Sequence, residues 1–209
     1  MLKFKYKNKG FISQGFAGNA QLYASMGVSG HTGVDYVKGY GNVHQVDNTG
    51  LVYKVWKPKE RKDRWVGVHM IIPNGKEYME ITMGHFKSVF VEEGATIYEG
   101  QYVGAEGNSG YVISHGQEIT PAMQDAGDTR GAHVHEAWRP VLRVKTITKG
   151  KNYLLKRDNK PFKDEEGYYY EIKYTNAIKG YVDPMAYKWE DSFEDKVRSI
   201  IQAITNLKK

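Results

Sequence analysis

The segment GAHVHEAW, Gly131 to Trp138, sets two histidines one residue apart. Side chains two apart in a strand share a face, so His133 and His135 project into one site about 7 Å apart along the chain. One can bind a metal while the other stays within reach of what the metal holds. A pair of this kind, taken alone, is more often structural than catalytic, so partners from elsewhere are needed. GHTGVDYV, Gly30 to Val37, offers His31 and Asp35 four residues apart. On a helix that spacing would place both on one face. The Gly-Val-Asp-Tyr-Val continuation reads instead as a loop entering a strand, with the turn at Gly33 bringing the two together. Imidazoles and a carboxylate suit Zn²⁺, and three such ligands leave a fourth tetrahedral position open for water, as hydrolysis requires. His85, between Gly84 and Phe86, follows a strand-like run. His44, His69 and His115 lie in no matching context and read as hydrogen-bonded structural histidines.

Composition narrows the chemistry. The chain has no cysteine, which removes disulfides, thiolate ligands and cysteine nucleophiles together. Any transition metal must therefore be held by His, Asp or Glu. Thirty basic against 24 acidic residues give a net charge of +6, which attracts polyanions of several kinds: nucleic acid, teichoic acids, lipopolysaccharide or anionic membrane. The densest basic run, KPKERKDRW from Lys57 to Trp65, is interrupted by acidic residues and carries no interleaved aromatics, so it reads as a solvated loop and no nucleic-acid partner is expected. The first residues, MLKFKYKNKGF, are basic with no apolar run behind them. Neither a signal peptide nor a transmembrane segment is expected.

The elements that must position these residues are mostly strands. GLVYKVW (Gly50 to Trp56), WVGVHMII (Trp65 to Ile72) and EYMEITM (Glu77 to Met83) are rich in β-branched and aromatic residues, and PNGK, Pro73 to Lys76, carries the Asn-Gly signal of a hairpin. An antiparallel sheet follows. Glycines recurring beside short apolar steps in GATIYEGQYVGAEGNSG, Gly94 to Gly110, suit tight β-arches. Two stretches look inserted: a polar one over about 111–130, and one over about 140–179 that resembles the arms and turns of extra hairpins. At 209 residues one domain is expected over 1–190, followed by an amphipathic helix over 191–209. That helix carries its apolar stripe on Phe193, Val197, Ile200, Ile201, Ile204 and Leu207, docked on the domain.

HTGVD, GHF, GATIYEGQYVGAEGNSG and GAHVH, in this order, resemble the lysostaphin or LytM type of zinc metalloendopeptidase that cleaves peptidoglycan peptides, in particular its phage-encoded or leaderless members. The resemblance covers roughly Phe11 to Trp138 and resumes at GYVDPMAY, Gly180 to Tyr187. It implies one zinc per chain on His31, Asp35 and His135, with His85 and His133 catalytic. It implies a mainly β fold, an antiparallel β-sandwich of the duplicated hybrid motif kind, with a groove across one sheet, the zinc at its floor and the insertions as walls. Gln14 to Asn19 would line that groove, with Asn19 able to approach the metal in a resting state, and Tyr168, Tyr169 and Tyr170 would either offer flat surfaces to substrate or alternate as ordinary strand residues. The implied function is hydrolysis of stem-peptide or crossbridge bonds in bacterial peptidoglycan by a lysin, acting on the wall after release by lysis or carriage on a virion.

Three features depart from the family pattern. Glu136 stands where most relatives have an aromatic residue, and strand alternation points it away from the metal. The aromatic-x-His lead-in is Met83-Gly84-His85 here. The stretch before GAHVH has no counterpart in the family. The alternative reading is a non-catalytic module that binds wall peptides, activates another hydrolase or serves in a virion. Such relatives usually lose ligands or catalytic histidines, whereas this chain retains all five residues.

Overall fold

The computed structural model describes residues 9–25, 27–74, 77–174 and 176–186; the helix expected over 191–209 and Tyr187 lie outside them. The elements in chain order are β1 (Phe11–Gln14), α1 (Ala20–Ala24), β2 (Val34–Val37), β3 (Val43–Gln45), β4 (Gly50–Trp56), β5 (Gly67–Asn74), β6 (Glu77–Gly84), β7 (Phe86–Val89), β8 (Thr96–Ile97) and β9 (Tyr102–Glu106), followed by β10 (Ile113–Ser114), β11 (Gln117–Glu118), α2 (Pro121–Asp125), β12 (Val134–Val144) and β13 (Tyr169–Ile172). The fold is mainly β and antiparallel. The large sheet runs β1-β2-β12-β6-β5-β4-β8, with β13 added along β12, and a smaller sheet runs β3-β9-β7.

Period-two alternation explains the layering. On β6, Met79, Ile81 and Met83 turn into a core shared with Val68, Met70 and Ile72 of β5, Trp138 of β12, and Phe86 and Val103 of the small sheet. Each such side chain contributes roughly 1.5–3 kcal/mol by leaving water. The intervening residues Tyr78, Glu80 and Thr82 therefore face the other side of the large sheet. They meet Val141, Arg139 and Ala137 of β12 across one register and Pro73, Ile71 and His69 of β5 across the other. The hairpin expected at PNGK is present to the extent described: β5 and β6 pair out to Asn74 and Glu77.

That outer face has two ends. At one, Tyr53, Ile71, Val141, Leu154, Phe162 and Tyr170 form a second apolar cluster. Leu154 and Phe162 come from the stretch after β12, which is stitched back onto the sheet through β13 and through bridges such as Tyr153 to Glu171. This corrects one expectation: residues 140–179 do not wall the groove but cap the far end of the face. Tyr170 is buried in that cap while its neighbours are half-buried, the alternation of an ordinary strand. The apolar residues Leu154, Phe162 and Tyr170 of this stretch leave water by covering Tyr53, Ile71 and Val141 of the sheet. At the other end lie His31, Asp35, His85, His133 and His135.

Candidate active site

Each site residue sits where the sheet delivers it. Asp35 on β2 pairs with His135 on β12, and His135 pairs on its other side with Gly84, next to His85. His133 precedes β12 and bridges to Gly107. Gly33 acts through closeness: a Cβ there would overlap the Glu136 carbonyl and crowd the His135 ring, so only glycine lets the 31–33 turn lie against β12. His31 is held from the opposite side, donating from Nδ1 to the Gly15 carbonyl at 3.0 Å. Backbone bonds from Ala17 to His31 and from His31 to Gly18 secure the same turn.

Three donor atoms converge as a result. His31 Nε2 lies 2.8 Å from His135 Nδ1 and 3.0 Å from Asp35 Oδ1, and His135 Nδ1 lies 2.9 Å from the same oxygen. Tetrahedral ligation at about 2.0–2.1 Å would set such atoms about 3.3 Å apart. Because Nδ1 of His31 donates to Gly15, neutral His31 has only the lone pair of Nε2 to offer. Thr32 Oγ1, 3.3 Å from His135 Nε2, directs the His135 proton the same way. Three lone pairs facing one another repel when alone and are stabilised by a cation, so the set fits a divalent metal. His31, Asp35 and His135 are the one group of this kind among the described residues. Burial pushes the Asp35 carboxyl up, yet the histidine rings around it, His135 and His31 first and then His133, outweigh burial and hold it well below the usual carboxylate range. Burial lowers His135 against the opposing pull of Asp35. Both shifts keep the metal-binding protonation state.

His85 and His133 stand beside this group. Their ring centroids are 4.4 Å apart, and His133 Nε2 lies 3.7 Å from Asp35 Oδ2. Each donates from Nδ1 to a backbone carbonyl at 2.7 Å, His85 to Ser109 and His133 to Gly131, which leaves both Nε2 atoms as proton acceptors. His85 has a left-handed backbone (φ 64°), unusual for a residue with a side chain and costing on the order of 1–3 kcal/mol. Burial, then the neighbouring His133 and His135, takes its pKa down to about 3, so the ring is neutral near pH 7.

These residues line a groove of about 400 Å³ whose walls come from three sources. Gln14 and Tyr23 form one side, where Asn19 is exposed and donates to Gln14 at 2.9 Å instead of joining the metal group. Tyr111, Val112 and Ile113, at the start of the first inserted stretch, form another. The third contains Arg61 and Asp63, from the run read as a solvated loop, and Trp65, where that run meets the strand-like segment Trp65 to Ile72. Trp65 lies over Gly67 and Gly84: a Cβ on either would overlap its indole. Trp65, from another loop, thus supplies an aromatic ring beside Gly84, where the sequence before His85 has none. A glycine in the strand at 84 was the available signal. His69 also reaches the groove, its Nδ1 within 3.0 Å of Thr82 Oγ1 and 3.3 Å of Glu80, while His44 is buried against Glu106 and His115 sits in the turn between β10 and β11. Glu136 points through the sheet, away from the metal group.

No family model and no curated protein matches the chain. Among solved structures it is similar to the catalytic domain, in a mutant form, of the prophage-encoded M23 protein EnpA from Enterococcus faecalis, with 22% identity over 61% of this chain and 78% of that one, at a TM-score of 0.41. It is similar to a zinc containing peptidase from Vibrio cholerae, with 20% identity over 65% of this chain and 36% of that one, at 0.43. Lysostaphin matches at 15% identity over 68% of this chain and 49% of that one, also at 0.43.

Proposed function

We propose that the chain is a zinc-dependent endopeptidase that hydrolyses peptide bonds in bacterial peptidoglycan. The carrying observation is the convergence of His31 Nε2, Asp35 Oδ1 and His135 Nδ1 at 2.8–3.0 Å from one another, beside His85 and His133, whose Nδ1 atoms are each held by a backbone carbonyl. His31, Asp35 and His135 would hold the ion. Zinc bound there supplies Lewis-acid activation of water and of a scissile carbonyl.

The remaining work belongs to this chain's own residues. His133, locked by a backbone carbonyl at Nδ1, presents Nε2 to take the proton from the attacking water, while His85, locked the same way and neutral, presents Nε2 to accept a hydrogen bond from that water and orient it. Once protonated, His133 stabilises the developing oxyanion and returns the proton to the leaving amine. The groove admits an extended peptide along the sheet, between the Tyr23 side and the Trp65 side. The net charge of +6 suits the anionic bacterial envelope, in keeping with a phage or prophage lysin or a wall hydrolase carried on a virion.

The test is zinc content per chain together with release of peptide amines from purified peptidoglycan, for the parent, His135→Ala and His133→Ala. The expected pattern is one zinc in the parent and in His133→Ala, none in His135→Ala, and cleavage by the parent alone. A parent that binds zinc and cleaves neither Gram-positive nor Gram-negative walls overturns the enzymatic reading. A parent that binds no metal overturns the site.

A further inference from the structure

The two carbonyls that lock the catalytic rings belong to a single small knot of chain. Ser109 accepts from His85 and Gly131 from His133, and residues 110–130 between them form β10, β11 and α2. Both carbonyls adjoin backbone that is easy to rotate. The peptide plane carrying the Ser109 oxygen ends on Gly110, with φ of 79°, and the other oxygen belongs to Gly131 itself, with φ of 68°. Glycine populates this region freely, so neither oxygen is fixed by local backbone preference.

Two side-chain amides supply what the backbone lacks. Gln124, on α2, donates from Nε2 to the carbonyls of Asn108 at 2.7 Å, Gly110 at 3.1 Å and Ile119 at 3.3 Å, so it grips the chain on both sides of Ser109. Asn108, itself 5% exposed, donates from Nδ2 to the carbonyls of Asp128 at 2.7 Å and Arg130 at 3.1 Å, gripping the chain just before Gly131. The helix that carries Gln124 is capped by Thr120, whose hydroxyl accepts from the Met123 amide. Ser109 is tied a third time, its Oγ accepting from the Val66 amide at 2.9 Å.

We propose that Gln124 and Asn108 are positioning residues that orient His85 and His133 together, by clamping the Ser109 and Gly131 carbonyls into one hydrogen-bonded unit. The proposal rests on the reading of His85 and His133 as catalytic. It gives the 111–130 stretch a task beyond walling the groove: α2 holds the hydrogen-bond acceptors that select the Nδ1–H form of both rings. A side chain that cannot donate at position 124 would leave three carbonyls facing an acceptor or an apolar group.

The test uses the full-length chain with Gln124→Glu and Gln124→Met, near-isosteric changes that remove the donors with and without adding charge. Nitrogen-15 spectra of labelled histidines read which ring nitrogen of His85 and His133 carries the proton. The expected result is loss of the single Nδ1–H form for both rings in each variant, with zinc content unchanged and kcat reduced by about 10–100-fold while KM stays near the parent value. A merely structural role would leave the ring spectra of the folded fraction as in the parent, and that result, or unchanged kcat in a folded variant, overturns the proposal. His85→Ala and His133→Ala are measured beside them. If those retain cleavage, the catalytic reading fails, while the ring spectra of the Gln124 variants still decide the clamp.

Discussion

Two buried polar clusters lie back to back on β12, one on each face of the large sheet, and they differ in a single respect. Beneath the sheet, Glu136 accepts from Tyr36 Oη and Trp138 Nε1, both at 2.8 Å, and pairs with Lys9 Nζ at 2.6 Å; Lys9 also pairs with Asp47 at 3.0 Å. Above it, one residue earlier, His135 joins His31 and Asp35. The lower cluster holds two carboxylates and encloses its own cation. The upper cluster also gathers electron-rich atoms out of water, but no lysine or arginine reaches it at ion-pair distance among the described residues. The lower cluster sets a buried lysine between its two carboxylates, whereas the upper one gathers its donor atoms with no such cation among the described residues. The comparison distinguishes a core polar network that holds its own cation from a donor set that could hold a metal ion.

The largest expected effect breaks the lower cluster. Lys9→Met takes from Glu136 and Asp47 the buried cation they share, and urea unfolding should show a loss of about 3–5 kcal/mol. Zinc per chain should stay as in the parent once the variant is folded. The pH dependence sharpens this. Burial pushes Lys9 down, but Glu136 and Asp47 more than reverse it, so its folded pKa lies above the ordinary 10.5. Its stabilisation is therefore fully present below about pH 10.5 and is lost as pH rises through the folded value. Alkaline titration of stability should show this loss in the parent and not in Lys9→Met. Equal alkaline profiles would remove Lys9 from the account.

The second effect empties the upper cluster. With free zinc at 100 to 1,000 times its dissociation constant, binding contributes roughly 2.7–4.1 kcal/mol, so a chelator should lower the melting temperature of the parent and leave that of His135→Ala where it was. Lys9→Met should keep its full response to chelation, since Lys9 binds Glu136 on the opposite face of the sheet from His31, Asp35 and His135. A chelator effect of equal size in His135→Ala would mean that the metal acts elsewhere.

Much of the upper cluster was legible in the sequence, and the reason is local. His133 and His135 lie two apart on one strand, His31 and Asp35 flank one turn, and strand alternation alone sends Glu136 to the opposite face. What it meets there was not legible, because Lys9 and Asp47 arrive from 127 and 89 residues away in the chain. Trp65 was hidden for a similar reason. It belongs to a charged loop whose composition reads as solvent-exposed, and only the pairing of β5 with β6 brings Gly67 and Gly84 side by side beneath its ring. The second inserted stretch was recognisable as strands and turns, but periodicity does not say which end of a sheet face an apolar residue will cover. The same blindness applied to Gln124, whose partners are backbone carbonyls and leave no mark on residue type.

Gly84→Ala tests the Trp65 wall. The added Cβ overlaps the indole, which must shift, at a cost of about 1–3 kcal/mol. Tryptophan fluorescence should report the move and KM for wall peptide should rise, with zinc unchanged because the atoms nearest the added Cβ all belong to Trp65. An unchanged KM with a displaced Trp65 would mean that this wall does not meet the substrate.

The smallest effect concerns the rim. The Arg61 guanidinium stands 5.3 Å from the Trp56 ring and 5.5 Å from the Trp65 ring, and it pairs with Asp63. The pair is about one-third to one-half exposed, so water and salt screen it, and the cation–π contacts contribute about 0.5–1 kcal/mol. Arg61→Ala should therefore barely move the unfolding midpoint. Its effect should appear instead as a several-fold rise in KM that shrinks as salt is added, because Arg61 holds Trp65 in the wall and adds positive charge to the mouth of the groove. The contrast with Lys9 is again one of solvent. The same unit of positive charge stabilises the fold when enclosed with two carboxylates and tunes substrate capture when it stands at a wet edge. A salt-independent change in KM for Arg61→Ala would assign Arg61 to packing against Trp65 alone.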